Sequence, residues 1–188
     1  MIKSIFLLLF LFIFSFTAIS QNKNNQFDSD GKRDGIWNKK YQNGNIRYKG
    51  KFIKGKEVGT FKFYAITGEE HPIVIKTFNS TNAICDVQFF SNKAVLKSEG
   101  KMIEKKRMGS WNYFFGDGKT LLSVESYKDG LLDGELKIFY KSGKTAEIAH
   151  YKAGKLHGNT KRYSEEGKVY ENLTYKNGIM HGPAIIYD

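Results

Sequence analysis

The chain has little cysteine, no long apolar run after its first twenty residues, and none of the local patterns that mark common catalytic centres. Cys85 is the only cysteine among 188 residues. An internal disulfide is therefore excluded, and packing alone must hold the fold together even in an oxidising compartment. No cysteine stands directly after the N-terminal apolar run, which argues against a lipid anchor there. Past residue 20 nothing approaches the roughly 20 apolar residues of a membrane-spanning helix. There is no G-x-S-x-G, no phosphate-binding glycine loop and no H-E-x-x-H. The acidic residues stand mostly in turn-like segments, without the pairing that glycoside chemistry needs. No enzyme activity, cofactor or metal site is expected. A helical period is also missing, because glycine returns too often for long helices.

What is present begins with a signal-like leader. Lys3 precedes a run of Leu, Ile and Phe from Ile5 to Phe16, and Ala18-Ile19-Ser20 places small residues where a signal peptidase reads. Residues 1–20 are read as a secretory signal peptide cleaved before Gln21. Residues 21–26 are read as a polar linker and 27–188 as one domain. The expected location is extracytoplasmic, periplasmic or secreted.

That domain is repetitive. Glycines four apart occur at Gly31/Gly35, Gly55/Gly59, Gly130/Gly134, Gly154/Gly158 and Gly178/Gly182. The second members, Gly35, Gly59, Gly134, Gly158 and Gly182, together with Gly109, fall mostly 24 or 25 residues apart. One gap of 50 holds a degenerate copy in which Cys85 takes the glycine place, so Cys85 is read as a small residue at a tight backbone position. Each copy has two stretches rich in aromatic and β-branched residues, separated by Gly, Asn and Asp. That is a β-hairpin pattern. Asn43-Gly44, Asp129-Gly130 and Asn177-Gly178 are turn dipeptides that tolerate positive φ. The predicted fold is all-β, an elongated antiparallel β-meander of tandem hairpin repeats of about 24 residues, forming a single twisted sheet. About six copies and a partial last one fit residues 27–188.

Gly154-Lys155-Leu156-His157-Gly158 with Tyr163, and Gly178-Ile179-Met180-His181-Gly182 with Tyr187, resemble MORN repeats. The pattern is similar to the variant repeats of bacterial proteins described as YwqK-family antitoxins. The resemblance implies a single twisted sheet used as an interaction scaffold or a membrane-proximal one. The antitoxin description implies neutralisation of a partner toxin, the alternative to the reading below.

Asp28-Ser29-Asp30-Gly31 looks like the start of a calcium loop but lacks the closing glutamate of an EF-hand, and Gly31/Gly35 is already explained as a repeat pair. His157 and His181 occupy equivalent places, where other copies carry Asp34, Val58, Met108 and Asp133, which favours a structural turn position over zinc. Two features remain as candidate binding elements. Residues 32–62 hold ten Lys or Arg against only Asp34 and Glu57. Arg33, Lys39, Lys40, Arg47, Lys49, Lys51, Lys54 and Lys56 are read as a positive end attracting anionic surfaces of the envelope rather than nucleic acid. The aromatics Tyr64, Phe90, Phe114, Phe139, Tyr163 and Tyr187 recur at one repeat position. Of these, Tyr64, Phe114 and Tyr163 are candidate contact residues. The expected function is an exported, non-enzymatic scaffold for protein or cell-surface (membrane or glycan) interaction, with an exported enzyme or accessory acting on envelope glycans as a further alternative. Peripheral membrane contact and weak self-association through an open C-terminal strand edge are expected partners.

Overall fold

The computed structural model describes residues 24–79 and 84–187, and every regular element in them is a strand. The signal-peptide reading falls on residues 1–20, outside the described residues. The strands are β1 (Gln26–Phe27), β2 (Arg33–Lys40), β3 (Ile46–Ile53), β4 (Lys56–Phe63), β5 (Val74–Phe78), β6 (Ile84–Phe90), β7 (Leu96–Ile103) and β8 (Lys106–Phe114). They continue as β9 (Leu121–Lys128), β10 (Leu131–Phe139), β11 (Thr145–Lys152), β12 (Lys155–Leu156), β13 (Gly158–Tyr163), β14 (Val169–Lys176) and β15 (Ile179–Ile186). Spatial order follows sequence order in one open antiparallel sheet, with β12 a short lead-in to β13 that pairs with β11. The meander predicted from the repeat is the observed fold. The sheet starts at Gln26, one residue inside the stretch read as a linker.

The two glycines of each pair do different work. Along the margin of the sheet where these strands turn, the first glycine completes a two-residue turn with positive φ at both positions, as in Asp129-Gly130 (φ 53° and 87°) and Asn177-Gly178 (53° and 85°). Such turns match the twist of the flanking strands. The second glycine lies where the ladder slips. Between Leu132 and Leu136 the pairing with β9 shifts across Gly134, whose φ is 110°, and Gly158 and Gly182 hold φ of 100° and 93°. These positions are bulges that only glycine occupies without strain.

One face carries the core. Its central row crosses the strands as Trp37, Gly50, Phe61, Lys76, Val87, Gly100, Trp111, Glu125, Leu136, Ala149, Thr160 and Leu173. Large and small residues alternate along much of it because a single layer has no second sheet to fill the gaps. A Cβ on Gly100 would sit 2.5 Å from the Trp111 ring, and Phe61 lies over Gly50 in the same way. Trp37, Phe52 and Phe61 form one buried cluster, and Cys85, Val87 and Trp111 form another. Phe78 packs against both. Full burial of such a side chain contributes on the order of 1.5–3 kcal/mol.

The reading of Cys85 is corrected in one respect. It stands at the repeat's glycine place, opposite Phe78 and Met102, but its backbone is ordinary strand. The β5–β6 ladder runs without a slip, so no bulge is present and a side chain fits. The thiol is 2% exposed, and burial raises its pKa above the ordinary thiol value.

The two ends of the sheet differ. The edge of β2 is closed beyond β1 by Asn25, whose side chain accepts the Asn38 N–H at 2.7 Å and donates to the Asn38 carbonyl at 3.3 Å, as a strand would. All eight residues of β15 are exposed, including Ile179 and Ile186.

Candidate functional site

Strand register assigns the basic residues of the first hairpin to two faces. Lys39 is paired with Tyr48, in the rows of the core face. Arg33 lies on that face too, its guanidinium 4.3 Å from the Phe52 ring centre and 3.1 Å from the Tyr48 hydroxyl, to which it donates. Arg33 is therefore occupied with covering aromatics, a contact worth about 0.5–1 kcal/mol at a partly exposed site. Lys40, Arg47, Lys49 and Lys51 alternate with the core residues and stand on the opposite, open face. Lys54 lies in the β3–β4 turn and Lys56 follows it.

The open face adds a residue that charge counting alone did not single out. Lys62 on β4 is the direct ladder partner of Lys49 on β3, with Asn38 on the other side. Like charges directly opposite one another destabilise a sheet. Among the described residues no carboxylate reaches ion-pair distance of Lys49, Lys51 or Lys62.

Beside the β2–β3 turn this face opens into a depression of about 460 Å³ lined by Lys40, Asn45, Lys49, Tyr64, Glu69 and Glu70. Three of the predicted contact residues, Lys40, Lys49 and Tyr64, thus meet in one place. The Lys49 ammonium lies 5.8 Å from the Tyr64 ring centre, and Arg47 lies 5.8 Å from that of Tyr41. The Tyr41 hydroxyl donates to the Tyr64 carbonyl at 2.9 Å, tying the first copy to the second. The far wall is acidic. Glu69 accepts the Thr67 hydroxyl, which lowers its pKa below the ordinary carboxylate value. Sequence reading did not connect Glu69 and Glu70 with the lysines, because the β4–β5 loop that brings them back departs from the repeat.

The aromatics at the recurrent position do not form a continuous stack. Tyr64 directly follows β4, and Phe114 and Tyr163 end β8 and β13, so that the three stand four strand intervals apart, or about 19 Å at the usual strand spacing. All three are half-buried. Phe114 lines a separate apolar groove with Phe89, Phe90 and Leu122, and the Tyr163 carbonyl accepts the Tyr140 hydroxyl at 2.6 Å.

The position before the second glycine has a defined task. Asp34 accepts the N–H of Lys54 at 3.2 Å and Asp133 that of Ala153 at 3.0 Å, each 20 residues on, so the carboxylate of one copy holds the tight turn that closes it. This contact, the paired turns and the bulge glycines define the repeating unit. Three copies match the MORN repeat variant. The matched segments are residues 33–54, 132–153 and 156–177. No curated protein matches the chain. The first two MORN-variant segments run from just before the capping Asp34 and Asp133 to the turn residues they hold, Lys54 and Ala153, and the third has His157 in the capping place. The resulting object is a repeat scaffold with a packed face and an open face.

Proposed function

We propose that the protein is an exported, non-enzymatic scaffold that docks on an anionic surface of the cell envelope through the open face of its first two copies. The observation that carries this reading is the ladder pair Lys49–Lys62, with Lys51 beside it and no carboxylate partner among the described residues. A like-charge pair on a strand costs stability, and an anionic partner converts that cost into attraction. The depression at Lys40, Lys49 and Tyr64 gives the same face a shaped edge.

Binding of the mature chain to vesicles containing an anionic phospholipid tests it. Attraction between exposed charges is screened beyond about 8 Å at physiological ionic strength. Binding is expected to fall steeply as salt rises to that level. Combined Lys49→Glu, Lys51→Glu and Lys62→Glu should abolish it, whereas Glu at Lys119, Lys144 and Lys168 should leave most of it. Equal loss in the two variants would mean that net charge alone matters and would remove the docking face.

A further inference from the structure

Farther along the open face the chemistry changes. From β5 to β8 two rows of polar side chains cross the sheet. Ladder pairing aligns Ile75, Gln88, Glu99 and Asn112 in one row, and Thr77, Asp86 and Lys101 in the next. Together they line a depression of about 420 Å³. Its floor reaches the backbone at Gly100, which carries no side chain because Trp111 lies against it from the core face.

Here the charged groups are partnered. Lys101 donates to Asp86 at 2.7 Å, and Gln88 donates to Glu99 at 3.2 Å. These bonds fix the side chains while leaving part of their hydrogen-bonding capacity free. A side-chain amide has two donors and two lone pairs, and a carboxylate has several acceptor sites. The side chains of Asn112 and Thr77 make no bond within the described part of the chain. Donors and acceptors therefore alternate around a shallow, nearly neutral trough, with the Ile75 side chain as its apolar element.

Several ligand classes fit poorly. Two carboxylates against one lysine disfavour a polyanion. Among the described residues no three metal-ligating side chains converge. Main-chain pairing with a peptide strand is closed, because β5 to β8 are interior strands whose two edges are both occupied. What the trough offers is side-chain hydrogen bonding in both senses along a line. Four strands at about 4.8 Å spacing make that line about 14 Å long. Vicinal hydroxyls, each a donor and an acceptor, on rings with an apolar C–H face are its complement.

We propose that the trough across β5–β8 binds a neutral, linear oligosaccharide. Gln88, Glu99 and Asn112 hold successive hydroxyl groups, Lys101 and Asp86 border them, and Ile75 meets a ring face. This site is separate from the lysine face of the first two copies and does not depend on it.

Calorimetric titration of the mature chain with cellohexaose and with chitohexaose, at low salt and at about 0.5 M salt, tests the proposal. At the higher salt the screening length is only a few ångströms. At least one sugar should bind saturably, with an affinity that changes less than about twofold between the two salts. Gln88→Ala and Asn112→Ala should each lower affinity roughly tenfold, the equivalent of about 1.4 kcal/mol. Circular dichroism checks that both variants remain folded. The Lys49, Lys51 and Lys62 triple variant should bind the sugar normally, so failure of the anionic-surface reading and failure of this one are distinguishable. Absence of binding by both sugars, loss of binding in salt, or full binding by a folded Gln88→Ala/Asn112→Ala double variant would each overturn the proposal.

Discussion

The copies that match the MORN repeat variant, the first, fifth and sixth, differ from those between them. In the matched fifth and sixth copies the sheet is regular, and charge is largely internal. Arg162 holds Glu147 at 2.8 Å and Glu171 at 2.6 Å across adjacent strands, and Lys137 holds Glu135 at 3.0 Å. Their core row is modest, with Leu136, Ala149, Thr160 and Leu173. The copies from β4 to β9 contain Phe61, Val87 and Trp111 in that row, a β5–β6 ladder without a bulge, and an open face with a polar trough. Larger core residues on one side of a single layer let the other side be shaped by glycine. Regularity serves the fold, and departure from it marks where a surface has been adapted.

That contrast can be broken experimentally. The largest effect is expected at Gly100. Its backbone is ordinary strand, so Gly100→Ala meets no conformational strain, but the added Cβ would lie 2.5 Å from the Trp111 ring. Overpacking of this kind costs about 1–3 kcal/mol. Denaturant unfolding should show a loss near the upper end of that range, and a loss below about 0.5 kcal/mol would mean that the middle copies do not depend on the alternation. A smaller effect is expected at Asp133. Replacing it by Ala removes the acceptor for the Ala153 N–H, a loss of about 1 kcal/mol by the usual worth of one such bond. The same substitution at Met108, the equivalent place in an unmatched copy, removes no such acceptor, so unfolding of the two variants compares the two kinds of turn directly. The smallest effect has the opposite sign. Lys62→Glu turns the like-charge pair with Lys49 into an opposite-charge pair and should stabilise the chain by about 0.2–1 kcal/mol. Destabilisation by Lys62→Glu would show that the lysine pair is not under tension.

The repeat was legible in the sequence because its marks are chemical necessities. A left-handed turn residue and a bulge residue both select glycine, so the pairs at Gly130/Gly134 and Gly154/Gly158 record two backbone events each. Gly50 and Gly100 fall outside that series and were not read, although they stand at one repeat position two copies apart. Their reason is a ring on the next strand, which no local pattern reveals. The lysines were visible as a count, but their division between faces depends on register. Arg33 and Lys39 proved to lie with the aromatics, and Lys62 joined the open face only once β3 and β4 were paired. The trough was invisible for the same reason. Gln88, Glu99 and Asn112 are ordinary surface residues until the pairing of three strands aligns them. Cys85 shows the reverse error, in which the repeat position was right but the conformation inferred from it was not.

The strictly sequential order of the strands has a mechanical consequence. Apart from the short β12, each strand bonds only to the strands before and after it, so among the described residues no hydrogen bond of the sheet ties distant parts of the chain together. Closing such contacts needs only short loops, which favours rapid folding outward from whichever hairpin forms first. Stability is then close to a sum over neighbouring copies. A chain of this kind, held at both ends and stretched, gives way one hairpin at a time from its weaker end. The aromatic copies near Trp37 and Trp111 would remain folded after the Leu- and Ala-cored copies had come undone.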